Sequence, residues 1–299
     1  MNLIIGQLFA LLTAACFAQN SIVYSFAGRR VGSAAVTHIR LWVALPAIMI
    51  IHLLFHGAPL PLGLPQAGYF YLGASGFVGF FMADLFIFKA FVDLGPRETL
   101  VVMTLAPIFG AIISWLMFAE TLTVLQIVGI LVTVGGVAWV VYEERSNPNK
   151  RSRKQALGVI FAFLGALTQA TGMVLAKGGV ASGVHPVSAN AVRITAGLIG
   201  LILFALLRRR LIADFRSMRD LKALAATSSG ALIGPVLGVI LSLYALQWAP
   251  VGIVTALMQT SPILLLPIER FVFKRRVTLG AVIGTLLAIG GAALLFIAP

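Results

Sequence analysis

The sequence predicts an all-α integral membrane protein: ten transmembrane helices arranged as two inverted five-helix repeats. Three observations predict it. Of 299 residues, 60% are hydrophobic and only 10% charged, with a mean hydropathy of +1.03; a soluble domain carries about 25% charged residues. Apolar runs of spanning length follow one another from end to end. The second half also repeats the first at a nearly fixed spacing.

A spanning helix needs about 20 mainly apolar residues. Such runs lie near 3–25, 34–55, 67–91, 97–118, 123–142, 156–177, 187–207, 222–247, 250–273 and 277–297. The strands of an outer-membrane barrel would instead alternate over segments of about ten residues. The opening MNLIIGQLFALL lacks a basic leader and its apolar run is long, so the first helix is expected to be retained. Two connections are long: EERSNPNKRSRK (Glu143–Lys154), and the stretch Arg208–Lys222, whose amphipathic character suits the membrane surface. The division that follows is a first repeat over 1–142, a basic linker over 143–155 and a second repeat over 156–299.

MTLAPIFGAIISWLMFAETLT from Met103 aligns with MQTSPILLLPIERFVFKRRVT from Met258, an offset of 155 residues. At that offset Pro107 matches Pro262, Thr123 matches Thr278, Gly129 matches Gly284, and Gly135–Gly136 matches Gly290–Gly291. Upstream the offset drifts: Gly6 answers Gly158, Arg40 answers Arg193 and Pro96 answers Pro250. Five helices per copy is an odd number, so the second copy enters the membrane from the opposite side. Inverted repeats are a recurrent transporter architecture, with the site near the midplane between halves.

The formal charge of +13 would favour nucleic acid in a soluble protein. Here the basic residues gather in short loops, which is a topology signal, and no nucleic-acid partner is expected. Where the first copy has Ala119-Glu120-Thr121, the second has Lys274-Arg275-Arg276. Positive loops stay in the cytoplasm. The loop after the ninth helix is then inside, the loop after the fourth is outside, and both termini face outward.

Polar side chains at mid-helix depth are few. The first helix offers Gln19, Asn20 and Tyr24; the sixth offers Thr168 and Gln169. Met103 and Thr104 precede Pro107 in the fourth, and Gln259 and Ser261 precede Pro262 in the ninth. One reading is a pseudo-symmetric ring that hydrogen-bonds a zwitterion; the other is interhelical bonding, worth about 0.6 kcal/mol each. Pro107 and Pro262 each remove an amide donor and are expected hinges. The carbonyl freed a turn earlier could take a substrate ammonium. Met103 and Tyr244 offer soft and aromatic surfaces for an aromatic ligand, whereas Trp248, near a helix end, reads better as an interface anchor.

Charge inside lipid is a functional hypothesis by default. Asp84 and Glu269 are the two acids well inside spans. Glu269 is five residues before Lys274, about 7.5 Å inward at 1.5 Å per residue, and so is not at the midplane. Arg40, Asp84, Lys89, Glu269 and Arg270 all fall on the inner side by this topology. They form a candidate inner gate, or else helix-end charges snorkelling to headgroups. The first and sixth spans hold no acid, which argues against proton exchange at the centre.

The two five-helix copies, YALQWAP (Tyr244–Pro250) with its echo FKAFVDLGP, and Pro107 followed by Glu120 resemble the drug/metabolite transporter superfamily, specifically its EamA-type ten-helix members. More narrowly the chain resembles bacterial aromatic amino-acid exporters. The resemblance implies an inner-membrane exporter of amino acids and related metabolites, without a cofactor. It implies a central cavity lined by helices one, three, four, six, eight and nine, with the fifth and tenth at the periphery. The expected working unit is a monomer in membrane lipid with a small-molecule substrate. Exporters of nucleosides or lipophilic cations, and a channel- or scramblase-like pore, stay open as alternatives. An enzyme is not expected: there is no HExxH or Walker pattern, and the four histidines and single cysteine suggest no metal site.

Overall fold

The computed structural model describes residues 2–94, 99, 102–143, 153–209, 212, 216, 219–261, 263–264 and 279–297. Every described element is helical. In chain order they are α1 (Asn2–Val31), α2 (Ser33–His56), α3 (Gln66–Gly76, continuing through a π turn at Phe77–Met82 into Ala83–Asp93), α4 (Ala106–Phe118) and α5 (Val124–Glu143). Then come α6 (Arg153–Ala181), α7 (Pro186–Leu207), α8 (Leu221–Ala231, a π turn at Leu232–Gly238, then Val239–Trp248), α9 (Val251–Met258) and α10 (Leu279–Ile297). Six of these (α1, α2, α3, α6, α7 and α8) are long and apolar enough to cross a membrane; α4, α5 and α10 are apolar but shorter. The chain is a multi-pass membrane protein. Pro262, Glu269, Arg270, the Lys274–Arg276 loop and most of the basic linker lie outside the described residues.

The helix ends follow from local chemistry. Gly32, at φ 85°, turns the chain between α1 and α2, and Gly57, at φ 71°, closes α2 in the left-handed region that favours glycine. At the start of α5, the Thr123 amide donates to Gln126 Oε1 (3.0 Å) and the Gln126 amide donates to Thr123 Oγ1 (3.3 Å), a reciprocal capping box. Asp220 caps α8 by accepting from the Lys222 and Ala223 amides at 3.1 Å each, and it pairs with Arg30 at 2.8 Å. The Ala223 amide, then Arg30, hold the exposed Asp220 carboxyl below its ordinary range. That pair brings the last turn of α1 to the first turn of α8, two segments that the charge pattern assigns to one membrane side.

Helical regularity breaks at matched positions. The π turns begin at Phe77 and Leu232, 155 residues apart. Turns interrupt the helices at Thr104–Leu105 and Gln259–Thr260, again 155 residues apart. π turns frequently mark functional sites. Packing is also exchanged: α1 lies on α8 and α9, while α6 lies on α3 and α4. The first helix of each half thus packs against the third and fourth helices of the other. α5 and α10 pack mainly on each other. Their close approach needs glycine: a Cβ on Gly136 would collide with the Ala288 and Gly284 backbone, and one on Gly291 with Thr133.

Candidate functional site

The interlocked helices meet at the paired breaks. Pro107 sits in the first turn of α4 and has no amide to offer the carbonyl four residues back, that of Met103. The sequence predicts a hinge within a continuous helix; the helix is instead broken by a turn at Thr104–Leu105, and Pro107 opens the segment after it. The freed Met103 carbonyl is occupied in this conformation: Gln259 Nε2 donates to it at 2.7 Å. Gln259 caps α9 at the matching break, so each break supplies one partner of a bond across the two halves.

Around this bond lies a cavity of about 20 Å³, lined by Phe17 of α1, Gln169 and Met173 of α6, and Thr255, Met258 and Gln259. That is room for about one water. Among the described residues the space at this bond is therefore small. Met103 and Thr104 are buried beside the break, and Ser261 is half-buried. Thr168 donates to Leu164 O at 2.7 Å, a bond within its own helix. On α1, Gln19 Oε1, Asn20 Oδ1 and Tyr24 Oη are buried without hydrogen-bond partners. Buried polar atoms are overwhelmingly paired, so three unmet ones on one helix ask for a ligand or water. Asn20 packs on Gly234 in the second π turn, leaving no room for a Cβ there.

Tyr244 is drawn elsewhere. Its hydroxyl shares a 3.0 Å hydrogen bond with His185 Nε2, and its ring stacks on Phe9 at 5.5 Å. It belongs to an aromatic and histidine cluster in which His52 stacks on His56 (4.5 Å) and His56 meets His185 edge-on (4.9 Å). His185 Nδ1 accepts from the Val187 amide at 3.3 Å and so caps α7. Burial, together with His56 and His52, lowers the His185 pKa below its ordinary value.

Of the inner-gate residues that are described, Arg40 of α2 and Asp84 of α3 form a salt bridge, with side chains 12% and 10% exposed. The Arg40 guanidinium lies 6.0 Å from the centre of the Tyr24 ring. Lys89 is not joined to that pair; it bonds Asp93 one turn on, at 2.8 Å, with its side chain half exposed.

A second ion pair lies at the other end of the bundle. Lys177 of α6 pairs with Glu120 Oε1 and donates to Ala249 O at 3.1 Å. Glu120 Oε2 accepts from Ser114 Oγ and, at 3.2 Å, from the amide of Val251 in the first turn of α9. Helix N-termini favour carboxylates. Ala119, left-handed at φ 52°, ends α4 and turns the chain into Glu120. Sequence reasoning uses Glu120 as a topology marker and in the family resemblance, and does not join it to Lys177. A basic residue on the otherwise base-poor face is the signal that could have joined them.

A larger crevice of about 390 Å³ lies between α4 and α5, lined by Ile112, Trp115, Glu120, Ile130 and Leu131 among others. Its apolar lining and the exposure of Ile112 and Trp115 place it at the lipid-facing periphery rather than between the halves. Among the described residues no cluster of His, Cys, Asp and Glu could hold a metal ion.

The sequence profile of the EamA-like transporter family matches residues 4–142 and 156–297, once in each half. A crystal structure of another protein superposes with a TM-score of 0.73 at 18% identity, covering 97% of this chain and 95% of that one, a likeness of fold alone. No match was found among curated proteins.

Proposed function

We propose, from the premise that this chain belongs to the EamA-like transporter family, that it exports amino acids, aromatic or bulky and apolar ones, by alternating access. The family consists of transporters, not enzymes. In this reading ten helices span the bacterial inner membrane as two inverted five-helix repeats, with both termini periplasmic. The observation that carries it is the cross-half bond from Gln259 to the Met103 carbonyl, made at helix breaks 155 residues apart. When the halves rock apart that bond opens. It then presents a bare carbonyl and a free amide beside Gln169, groups suited to a substrate ammonium and carboxylate. Gln19, Asn20 and Tyr24 add further unmet polar atoms on α1. Thr104, Thr168 and Ser261 belong to the same candidate ring; Tyr244 stands apart from it, in the His185 cluster.

The two ion pairs fit the ends of such a pathway. Arg40–Asp84 would close the inner end, with Glu269 and Arg270 as further candidates, and Glu120–Lys177 would close the outer end. Among the described residues the central cavity has no acid in its lining, which favours gradient-driven export over proton exchange at the centre. Counterflow in liposomes tests the proposal. Saturable exchange of labelled phenylalanine or tryptophan, indifferent to an imposed pH gradient, is expected. Unsaturable leak of unrelated solutes would point to a pore instead, and exchange of a nucleoside or lipophilic cation alone would replace the substrate class.

A further inference from the structure

We infer that Arg193 is a binding site for a carboxylate, carried by the transported substrate; the inference rests on the transporter reading above. Arg193 lies on α7, within a span, and is 3% exposed. Its guanidinium lies 5.0 Å from the centre of the Phe80 ring. That face-on contact leaves the in-plane donors unused: Nε and Nη1 are buried without a hydrogen-bond partner. Among the described residues no acid pairs with it. An arginine side chain stays charged. A buried, unpaired cation inside a span therefore needs an anion from somewhere.

In this conformation α3 and α6 meet beside the guanidinium. Phe80 and Gly79 belong to the π turn of α3, and Gly172 of α6 packs against Gly79. A Cβ on Gly79 would stand 3.6 Å from Arg193 Nη2 and 3.3 Å from the Gly172 Cα, so the guanidinium lies beside the glycine contact that joins α3 and α6. Ala170 lies two residues before Gly172 and Met173 directly after it, and both line the central cavity. The guanidinium thus lies one helix wall from the centre. Its planar fork matches a carboxylate in bidentate geometry.

The two halves differ in one respect at this point. Arg40, the counterpart of Arg193, is neutralised by Asp84, two residues beyond the first π turn. The position 155 residues after Asp84 is Val239, which is buried and apolar. The first half carries its own carboxylate. The second half lacks one at that position, and a substrate carboxylate supplies it when the cavity opens along α6.

The test is a thermal-shift titration of the full chain in detergent with phenylpropionate, phenylalanine and phenethylamine, against fluoride and chloride backgrounds. Phenylpropionate and phenylalanine are expected to raise the melting temperature, and phenethylamine is not. Arg193→Met should abolish both shifts, and Arg193→Lys should weaken their midpoints about tenfold, since a lysine cannot make the bidentate pair. If Arg193→Met does not fold, Arg193→Lys decides alone, and an unchanged midpoint overturns the site. So does a wild-type protein that no carboxylate shifts, or one that chloride shifts as well as phenylpropionate. A phenylpropionate shift without amino-acid counterflow would keep the site and overturn the proposed substrate. Counterflow with an unchanged KM in Arg193→Met would keep the function and overturn the site.

Discussion

Gln259 donates its side-chain amide, at 2.7 Å, to the one carbonyl that Pro107 leaves without a helical partner, that of Met103. A proline in one half thereby creates the acceptor, and a glutamine 156 residues away in sequence fills it. Leaving a buried acceptor unmet costs about 1–3 kcal/mol. Gln259→Ala should lower the thermal stability of the purified protein by an amount in that range. Pro107→Ala restores an amide at position 107, so the Met103 carbonyl regains a partner within its own helix. The double variant should therefore lose less than the sum of the two single losses. Strict additivity in this cycle would mean that the proline and the glutamine do not act on one carbonyl.

The outer ion pair gives a second prediction. Glu120 and Lys177 are 16% and 19% exposed at their side chains, and Glu120 also holds the first amide of α9. Removing one partner of a largely buried pair costs about 3 kcal/mol, because the other charge is left uncompensated. Lys177→Met should destabilise the closed state and speed thiol labelling at a cysteine placed at Thr121, in a Cys16→Ser background. Adding Glu120→Gln should recover much of the stability, since the orphan charge is then gone. Labelling at the single-variant site that stays at the wild-type rate would remove the latch.

Asp84→Asn tests the inner end. Asp84 is 7% exposed and pairs with Arg40 across α2 and α3. Without the carboxylate, Arg40 keeps its charge and loses its ion pair with Asp84. Labelling from the inner side, at a cysteine near Asp93, is expected to rise while outer-side labelling stays unchanged. Lys89→Met should have little effect, about 0.5 kcal/mol, because Lys89 serves an exposed pair with Asp93 four residues on. If both variants opened the inner side equally, the gate would have to include Lys89 after all.

These residues also mark how far the sequence could be read. The six long apolar helices followed from apolar run length, and the two family matches from a repeat visible in proline and glycine positions, because both are one-dimensional patterns. Gln259 and Met103 were legible as mid-helix polar and soft residues beside prolines. That they bond each other was not, because the contact depends on how the halves interlock. Glu120 and Lys177 were visible singly; only the left-handed turn at Ala119 brings them together. Lys89 was grouped with Arg40 and Asp84 by depth, but depth says nothing of which helix face a side chain takes. Tyr244 looked like a stacking residue for substrate, and its ring is instead engaged by Phe9 and its hydroxyl by His185.

His185 sets the pH response of that last cluster. Its Nδ1 accepts the Val187 amide, so Nδ1 carries no proton and the ring is neutral with its proton on Nε2, toward Tyr244. Protonating Nδ1 would break the cap of α7 and place a positive charge beside the His56 and His52 rings. Burial first, and these two neighbours next, lower the His185 pKa from the ordinary 6.5. A depressed histidine binds fewer protons folded than unfolded. Stability is then complete above pH 6.5 and falls as the pH drops through 6.5 towards the lower folded-state value. The melting temperature of the purified protein should decline across that acid window. His185→Asn keeps an acceptor for the Val187 amide without a titrating ring. It should flatten the decline while leaving the melting temperature at pH 8 nearly unchanged. A decline as steep in His185→Asn as in the wild type would show that His185 does not set the response.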